Sequence, residues 1–433
     1  MTPARIIGRA AAALVAVALA LAGGASAARA GALLGVVPDI PTGAPLTHQR
    51  VARTANLPTG GGPVMHANRT HLVFWMPAGS GLAFDAGYGQ QMVTFLTRVA
   101  HDSHLPTNVY SLTGQYTDRS GAAGYDQSYA GAILDTDPLP PPDPGCVEPP
   151  PPPAGTGPGW SDCVTNAQIE SELSAVAATH GLPAGDRDVY FLITPNGLAD
   201  CDTSSTPASC ALGGSSDNGY CGYHSFTPGG LLYAVIPYNA VPGHCQSDDP
   251  RPNASTADPA LSSLSHEHNE TVTNPFGDAW IDSFFNENGD LCLDQAAHPP
   301  RALGGAGSAR YDQVIDGGHY WLQLEWSNQE GGCAARDEGD PLSLRVPSAA
   351  RTVTRITLLA HGRDPDGRIA SYLWSLGDGA TLRGGRVRHA YRRPGRYKVV
   401  VRSTDSAGNW AFASRTVTIR RPVLRHRRAR RHR

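Results

Sequence analysis

Residues 265–292 read SHEHNETVTNPFGDAWIDSFFNENGDLC and concentrate much of the chain's chemistry in one short span. If 259–273 winds as a helix, His266 and Glu270 stand one turn apart on the same face with Glu267 beside them. A helical wheel puts Leu261, Leu264, His268 and Val272 on one face and Ser263, His266 and Glu270 roughly opposite, so His268 is expected to pack. The pattern His-Glu-x-x-Glu suits a metal-binding helix in which Glu270 takes the place more often held by a second histidine, since a carboxylate also binds zinc. The plainer reading is a solvated face carrying an ordinary His/Glu pair. After a Pro/Gly turn, Asn286, Glu287 and Asp290 follow at a separation suited to a third ligand and an outer partner.

Outward from this span the chain alternates strand and helix signals. HLVFWM (71–76) suits a buried strand, and Tyr88, Met92, Phe95, Leu96 and Val99 recur at helical spacing. Eleven prolines between 138 and 158 forbid regular structure and predict an extended surface excursion. Ile169, Leu173 and Val176 then mark a helix, while 189–194, 231–237 and the alternating YWLQLEWS (320–327) mark strands. The expected class is α+β: a mixed, disulfide-stapled domain over 66–340, preceded by an extended segment over 31–65. An all-β unit over 341–420 and a basic tail over 421–433 follow.

The first thirty residues read as a cleaved export signal: a basic start, an apolar run from Ala10 to Leu21 and a small-residue stretch. That run is short for a membrane span, and no later segment approaches one. Eight cysteines, even in number and without a CxxC pair, agree with export and predict disulfides. Nearest-neighbour pairing joins Cys146 with Cys163, Cys201 with Cys210, Cys221 with Cys245 and Cys292 with Cys333, although spacing does not select among connectivities. The net charge of −3 hides an asymmetry, because eight arginines crowd 420–433. That tail could contact anionic wall polymers, but no stacking aromatics interleave it, so specific nucleic-acid binding is not expected. Sequons at Asn68, Asn253 and Asn269 are discounted, the last lying in the proposed helix.

Strand candidates at 353–360, 369–376, 396–403 and 411–419 are separated by DPDG, GDG and DSAGN turns. With Asp364-Pro365-Asp366-Gly367, Tyr372, WSLGDG (374–379), His389, Tyr391, Pro394-Gly395-Arg396-Tyr397, Thr404-Asp405 and Gly408-Asn409, this region resembles the polycystic kidney disease (PKD) domain. The resemblance implies a small immunoglobulin-like β-sandwich, a spacer or a module contacting extracellular protein or polysaccharide, with Trp374 in its core.

The central span resembles thermolysin-like zincins. By motif position, that likeness implies His266, Glu270 and Glu287 as zinc ligands, Glu267 as general base and Asp290 as support for His266. A wider stretch, 188–326, resembles the exordium, or phosphate-induced, family of secreted proteins. It does so through Cys221-Gly222-Tyr223-His224, Pro237-Tyr238, His266-Glu267, Glu270, Asn274-Pro275, Ala279-Trp280, Glu287 and Gly289-Asp290-Leu291-Cys292. His224 could enter the cleft as a transition-state donor or simply hold its loop by hydrogen bonding. Two functions are therefore carried forward: a secreted zinc metallopeptidase with a PKD accessory domain, or a non-catalytic exordium-like wall-associated protein. A serine hydrolase is disfavoured, because no GxSxG elbow occurs.

Overall fold

The apolar run at 71–75 lies inside strand β2 (Asn68–Trp75), which is covered on both faces. Such burial explains why its hydrophobic residues are continuous rather than alternating. The computed structural model describes residues 33–38, 56–144, 146, 161–203, 209–211, 219–245, 247–293, 300–337, 342–364 and 368–421. The export signal, most of the proline tract, Pro365–Gly367 and the arginine tail beyond Arg421 lie outside them.

Around β2, the N-terminal domain is built from β1 (Leu34–Pro38), α1 (Tyr88–His101), β3 (Gln127–Asp135), β4 (Asp162–Thr165), α2 (Asn166–His180) and β5 (Asp188–Ile193). β6 (Leu198–Asp202), β7 (Ser209–Ala211), β8 (Gly219–Phe226), β9 (Leu232–Ile236) and α3 (Asp258–Thr273) complete it. The strands form one mixed sheet in the order β3-β2-β5-β9-β8-β7-β6-β4, with β1 laid antiparallel on β8. β3, β2, β5 and β9 run parallel, and β8 turns antiparallel to β9.

Alternation along β2 divides the core. Leu72 and Phe74 join Met92, Phe95, Leu96, Leu261 and Leu264 under α1 and α3, while Val73 and Trp75 meet Ile169, Leu173 and Val176 of α2. Helices therefore flank the sheet on both faces. α2 starts with a capping box between Thr165 and Gln168 and stops at Gly181, whose φ of 63° suits a residue without Cβ.

All four nearest-neighbour disulfides are present: Cys146–Cys163, Cys201–Cys210, Cys221–Cys245 and Cys292–Cys333. Two hairpins follow α3: β10 (Gln313–Ile315) with β11 (Gly318–Tyr320), and β12 (Glu325–Ser327) with β13 (Gly332–Ala334). The single strand expected over 320–327 is thus broken at 321–324. There Leu322 N–H goes to the Asp312 carboxylate and Gln323 N–H to the Ser262 hydroxyl on α3, so the backbone leaves the ladder to meet the helix.

The C-terminal unit is a sandwich of two sheets. One holds β14 (Leu342–Arg345), β16 (Ile356–Gly362) and β19 (Arg386–His389). The other holds β15 (Ala349–Arg351), β17 (Ile369–Ser375), β18 (Thr381–Arg383), β20 (Gly395–Asp405) and β21 (Trp410–Arg420). Trp374 is fully buried with Leu358, Tyr391, Val399 and Val417, and its indole N–H donates to the Gly384 carbonyl.

The β20–β21 turn, 406–409, docks on the first domain. Asn409 Nδ2 donates to the Ser111 carbonyl and to Asp337, while Trp410 stacks on His104 with ring centroids 4.0 Å apart. Gly114 admits the Ala407 carbonyl so closely that any Cβ there would lie 1.5 Å from its oxygen. Trp410→Ala is expected to weaken the junction by about 1–3 kcal/mol. Calorimetry should then resolve two unfolding transitions in place of one; an unchanged profile would show that the stacking does not couple the domains.

Candidate metal centre

α3 is polar on one face, yet every residue from Asp258 to Thr273 is buried. The solvated-face reading is therefore overturned. The sheet, the 281–293 loop and the 320–327 segment enclose the helix, so its polar side chains must find partners within the protein. His268 packs as expected: its ring meets Tyr110 and Phe191 edge-on, and its Nε2 lies 2.9 Å from Asn68 Oδ1. The same contact buries Asn68, and Asn269 is buried within the helix, in keeping with discounting both sequons.

His266, Glu267 and Glu270 meet His224 from β8 and Glu287 and Asp290 from the 281–293 loop. Each histidine or ligand-type carboxylate has one atom held from behind and another left inward. Glu270 Oε1 accepts the N–H groups of Gly289 and Asp290 at 3.1 and 3.0 Å. Glu287 Oε1 accepts from Asn274. His224 Nδ1–H donates to Glu267 Oε2 at 3.2 Å, and Gln323 Nε2 sits 3.0 Å from His266 Nδ1. The other atoms, Glu270 Oε2, Glu287 Oε2, His224 Nε2 and His266 Nε2, are buried with no partner but one another.

The separations within each pair suit two donors to one cation. Two donors bound to one tetrahedral zinc at about 2.0–2.1 Å stand about 3.3 Å apart. His266 Nε2 lies 3.1 Å from Glu270 Oε2, and His224 Nε2 lies 3.6 Å from Glu287 Oε2. Glu270 is the hub, because it belongs to two groups of close donors, one with His224 and Glu267, where its Oε2 lies 3.9 Å from His224 Nδ1, and one with His266 and Asp290. Two imidazoles with carboxylates fit a divalent transition metal.

Three expected placements are revised. Glu287 stands against His224 rather than closing a trio with His266 and Glu270, because Asn274 at the end of α3 holds its other oxygen. Asp290 lies 3.8 Å from His266 Nε2, on the donor side of the ring, whereas Gln323 occupies the Nδ1 side where a supporting group belongs. Glu267 spends one oxygen on His224, leaving only Oε1 unpartnered. Gln323 and Glu325 were not identified from sequence, and Asn274 entered only through a family resemblance; the alternation of 320–327 pointed to a strand and concealed two buried polar side chains.

Burial pushes Glu267, Glu287, Asp290 and Glu325 well above the usual carboxylate range, and the charge of Glu270 adds to each. Burial lowers His224 to about 4, so it is neutral at pH 7. Burial also disfavours charge on His266, but Glu270, Asp290 and Glu325 outweigh it and hold this imidazole up at about 9. Metal binding through His266 Nε2 requires that atom to give up its hydrogen; Nδ1 faces Gln323 Nε2, which also donates to the Gly289 carbonyl at 2.8 Å.

β1 closes the centre from above. A Cβ on Gly35 would lie 1.8 Å from Glu270 Oε2 and 2.7 Å from the His224 ring, so only glycine lets the backbone pass. Beside it lies a cavity of about 320 Å³, lined by Leu33–Val36, Ile281, Phe285, Asn286, Asp290 and Leu293. Phe285, 73% exposed, stands at its rim.

The turn carrying Asp290 is stapled to β13 by Cys292–Cys333, which are 41 residues apart. A Cys292→Ser/Cys333→Ser double variant is expected to lose about 4 kcal/mol from loop entropy. Urea unfolding measures this, and a loss below about 1 kcal/mol would show that the loop is held by packing alone.

With the geometry in place, residues 347–420 match the family described as PKD domain. The C-terminal sandwich is a PKD domain. Collagenase ColQ1 of Bacillus cereus (strain Q1) is 41% identical over 58 residues, covering 13% of this chain and 6% of that protein. The microbial collagenase of Vibrio alginolyticus is 45% identical over 56 residues, covering 13% and 7%. The chain thus spans less than a tenth of the length of either relative. Among solved structures, the PKD1 domain of Vibrio anguillarum Epp is 24% identical, with 19% of this chain and 94% of that chain covered and a TM-score of 0.17. The PKD1 domain of the Vibrio cholerae metalloprotease PrtV is 26% identical, with 18% and 93% covered and a TM-score of 0.16. Among the described residues, no helix is long and apolar enough to cross a membrane.

Proposed function

We propose that the N-terminal domain is an exported, zincin-like metal-dependent hydrolase, a metallopeptidase carrying a PKD accessory domain. One observation carries this reading: the inward atoms of His224, His266, Glu270 and Glu287 have no partner but one another, while the opposite atom of each is hydrogen-bonded. Ligands oriented by outer partners have this pattern. A divalent ion such as zinc would be held by His266, Glu270 and Asp290, with His224 and Glu287 beside them, and would supply Lewis acidity toward a scissile carbonyl. Glu267 would accept a proton at Oε1, while its Oε2 keeps His224 in the tautomer with hydrogen on Nδ1. The partial likeness to two collagenases supports extracellular protein as the substrate class and the PKD domain as its contact surface.

A second reading is favoured by the cover that β1 provides. With the ligand-type side chains of His224, His266, Glu270 and Glu287 fully buried, a metal could act structurally in a catalytically silent, exordium-like wall protein. Gelatin and casein hydrolysis by the zinc-loaded protein separates the two. Glu267→Gln should keep its zinc and lose at least about 100-fold in kcat. Equal turnover in the variant removes Glu267 as base, and zinc binding without hydrolysis in the unaltered protein selects the structural reading.

A further inference from the structure

A second group of acids lies on the opposite face of the sheet, away from α3. Asp135 ends β3 beside Trp75, its register partner on β2; Asp137 follows on the next loop, and Glu172 comes from α2. One carboxylate oxygen from each lies within 4.8 Å of the others. Asp135 is only 6% exposed, and although its Oδ1 accepts the Asp137 N–H at 2.9 Å, its Oδ2 has no partner. Glu172 Oε1 is likewise buried and has no partner but the Asp135 carboxylate. An acidic cluster alone would be unremarkable, but a buried aspartate pressed against Glu172 must share either a proton or a cation with it.

The surroundings hold these acids in place. Trp75 Nε1–H donates to the Asp137 carbonyl at 3.0 Å, Met76 N–H to the Asp135 carbonyl at 2.9 Å, and Gln168 Nε2 to the Pro141 carbonyl at 2.8 Å. The loop is thereby tied to β2 on one side and to the first turn of α2 on the other. Burial, then a hydrogen bond to Asp135 and the nearness of Asp135 and Asp137, holds Glu172 up at about 8.

We propose that Asp135, Asp137 and Glu172 form a calcium site that locks the end of β3 to α2. The donors are all hard oxygens, with neither imidazole nor thiolate, which favours calcium over zinc. Oxygens bound to one calcium at 2.3–2.6 Å stand at most about 5 Å apart, as these do. Asp137 is exposed and leaves an entry path, and Trp75 beside the site provides an optical reporter.

The test uses full-length protein stripped by chelator, with terbium as the luminescent probe and calcium as competitor. Unaltered protein should show Trp-sensitised terbium emission displaced by calcium, together with a calcium-dependent rise in Tm. Asp137→Asn and Glu172→Gln should each weaken calcium binding at least tenfold and abolish that rise. Glu172→Gln also relieves repulsion, so a folded, calcium-insensitive variant is the expected outcome. Glu270→Gln, which disables the centre on α3, should leave the signal intact. The proposal is overturned if unaltered protein gives no calcium-displaceable emission, if both variants bind calcium like the parent, or if the signal disappears only with Glu270→Gln.

Discussion

Replacing Glu270 by glutamine is expected to strip zinc from the full-length protein, with affinity falling by about 100-fold or more. Glutamine can still use its carbonyl oxygen to accept the N–H groups of Gly289 and Asp290, as Glu270 Oε1 does. Its amide nitrogen then faces His266 Nε2, where Glu270 Oε2 now lies 3.1 Å away, and an NH₂ group presents hydrogens rather than a lone pair. The helix and its packing persist while the shared donor is removed. Losing even an outer partner of a metal ligand costs 10–100-fold in affinity, so loss of the hub should exceed that range. Competition titration against a chromophoric chelator gives the affinity, and elemental analysis gives the stoichiometry. Unchanged zinc content in the variant would mean that Glu270 is not a ligand and would remove the basis of the proposed hydrolase.

The second large effect is expected from Gly35→Val, which tests whether β1 is the cover of the centre. The new side chain would meet Glu270 Oε2 and the His224 ring, and φ at this position is +50°, a region costly for a β-branched residue. Backbone strain alone is of order 1–3 kcal/mol. The pairing of Leu34 with His224 and Val37 with Gly222 should then fail. Hydrogen exchange at Leu34–Val37 should accelerate at least tenfold, and a chelator should remove metal correspondingly faster. If hydrolysis rises as well, β1 occupies the path of substrate; if metal loss accelerates without hydrolysis, the cover belongs to a structural site. Exchange at the parent rate would show that β1 does not depend on glycine at this close approach.

Much of the architecture was legible because it rests on local chemistry. The spacing of Tyr88, Met92, Phe95, Leu96 and Val99 sets the buried face of α1, and Ile169, Leu173 and Val176 set that of α2. The C-terminal strands could be read from alternation and turn residues, and the GDG and DSAGN turns fall between strands as expected. Pairing of cysteines near in sequence also proved right, with separations of 9 to 41 residues. The site was legible only in part. His266, Glu267 and Glu270 stand out because helical spacing joins them, but nothing local reveals that Glu287 would meet His224 or that Gln323 would sit behind His266. Helical periodicity likewise misjudged the polar face of α3: it measures which residues share a face, not whether other chain segments enclose that face.

Composition, periodicity and motif spacing by themselves determined the disulfide-rich character, the main strands and helices, the all-β C-terminal unit and the helix bearing His266 and Glu270. Each of these depends on residues close in sequence or on short recurring patterns. Tertiary structure alone decided that β1 would run over the centre at Gly35, that α3 would be buried on all sides, and that Asp135, Asp137 and Glu172 would gather at the far end of the sheet. Those outcomes arise from chain crossings between distant segments, where close approach and loss of solvent set which atoms are satisfied and which are left facing one another.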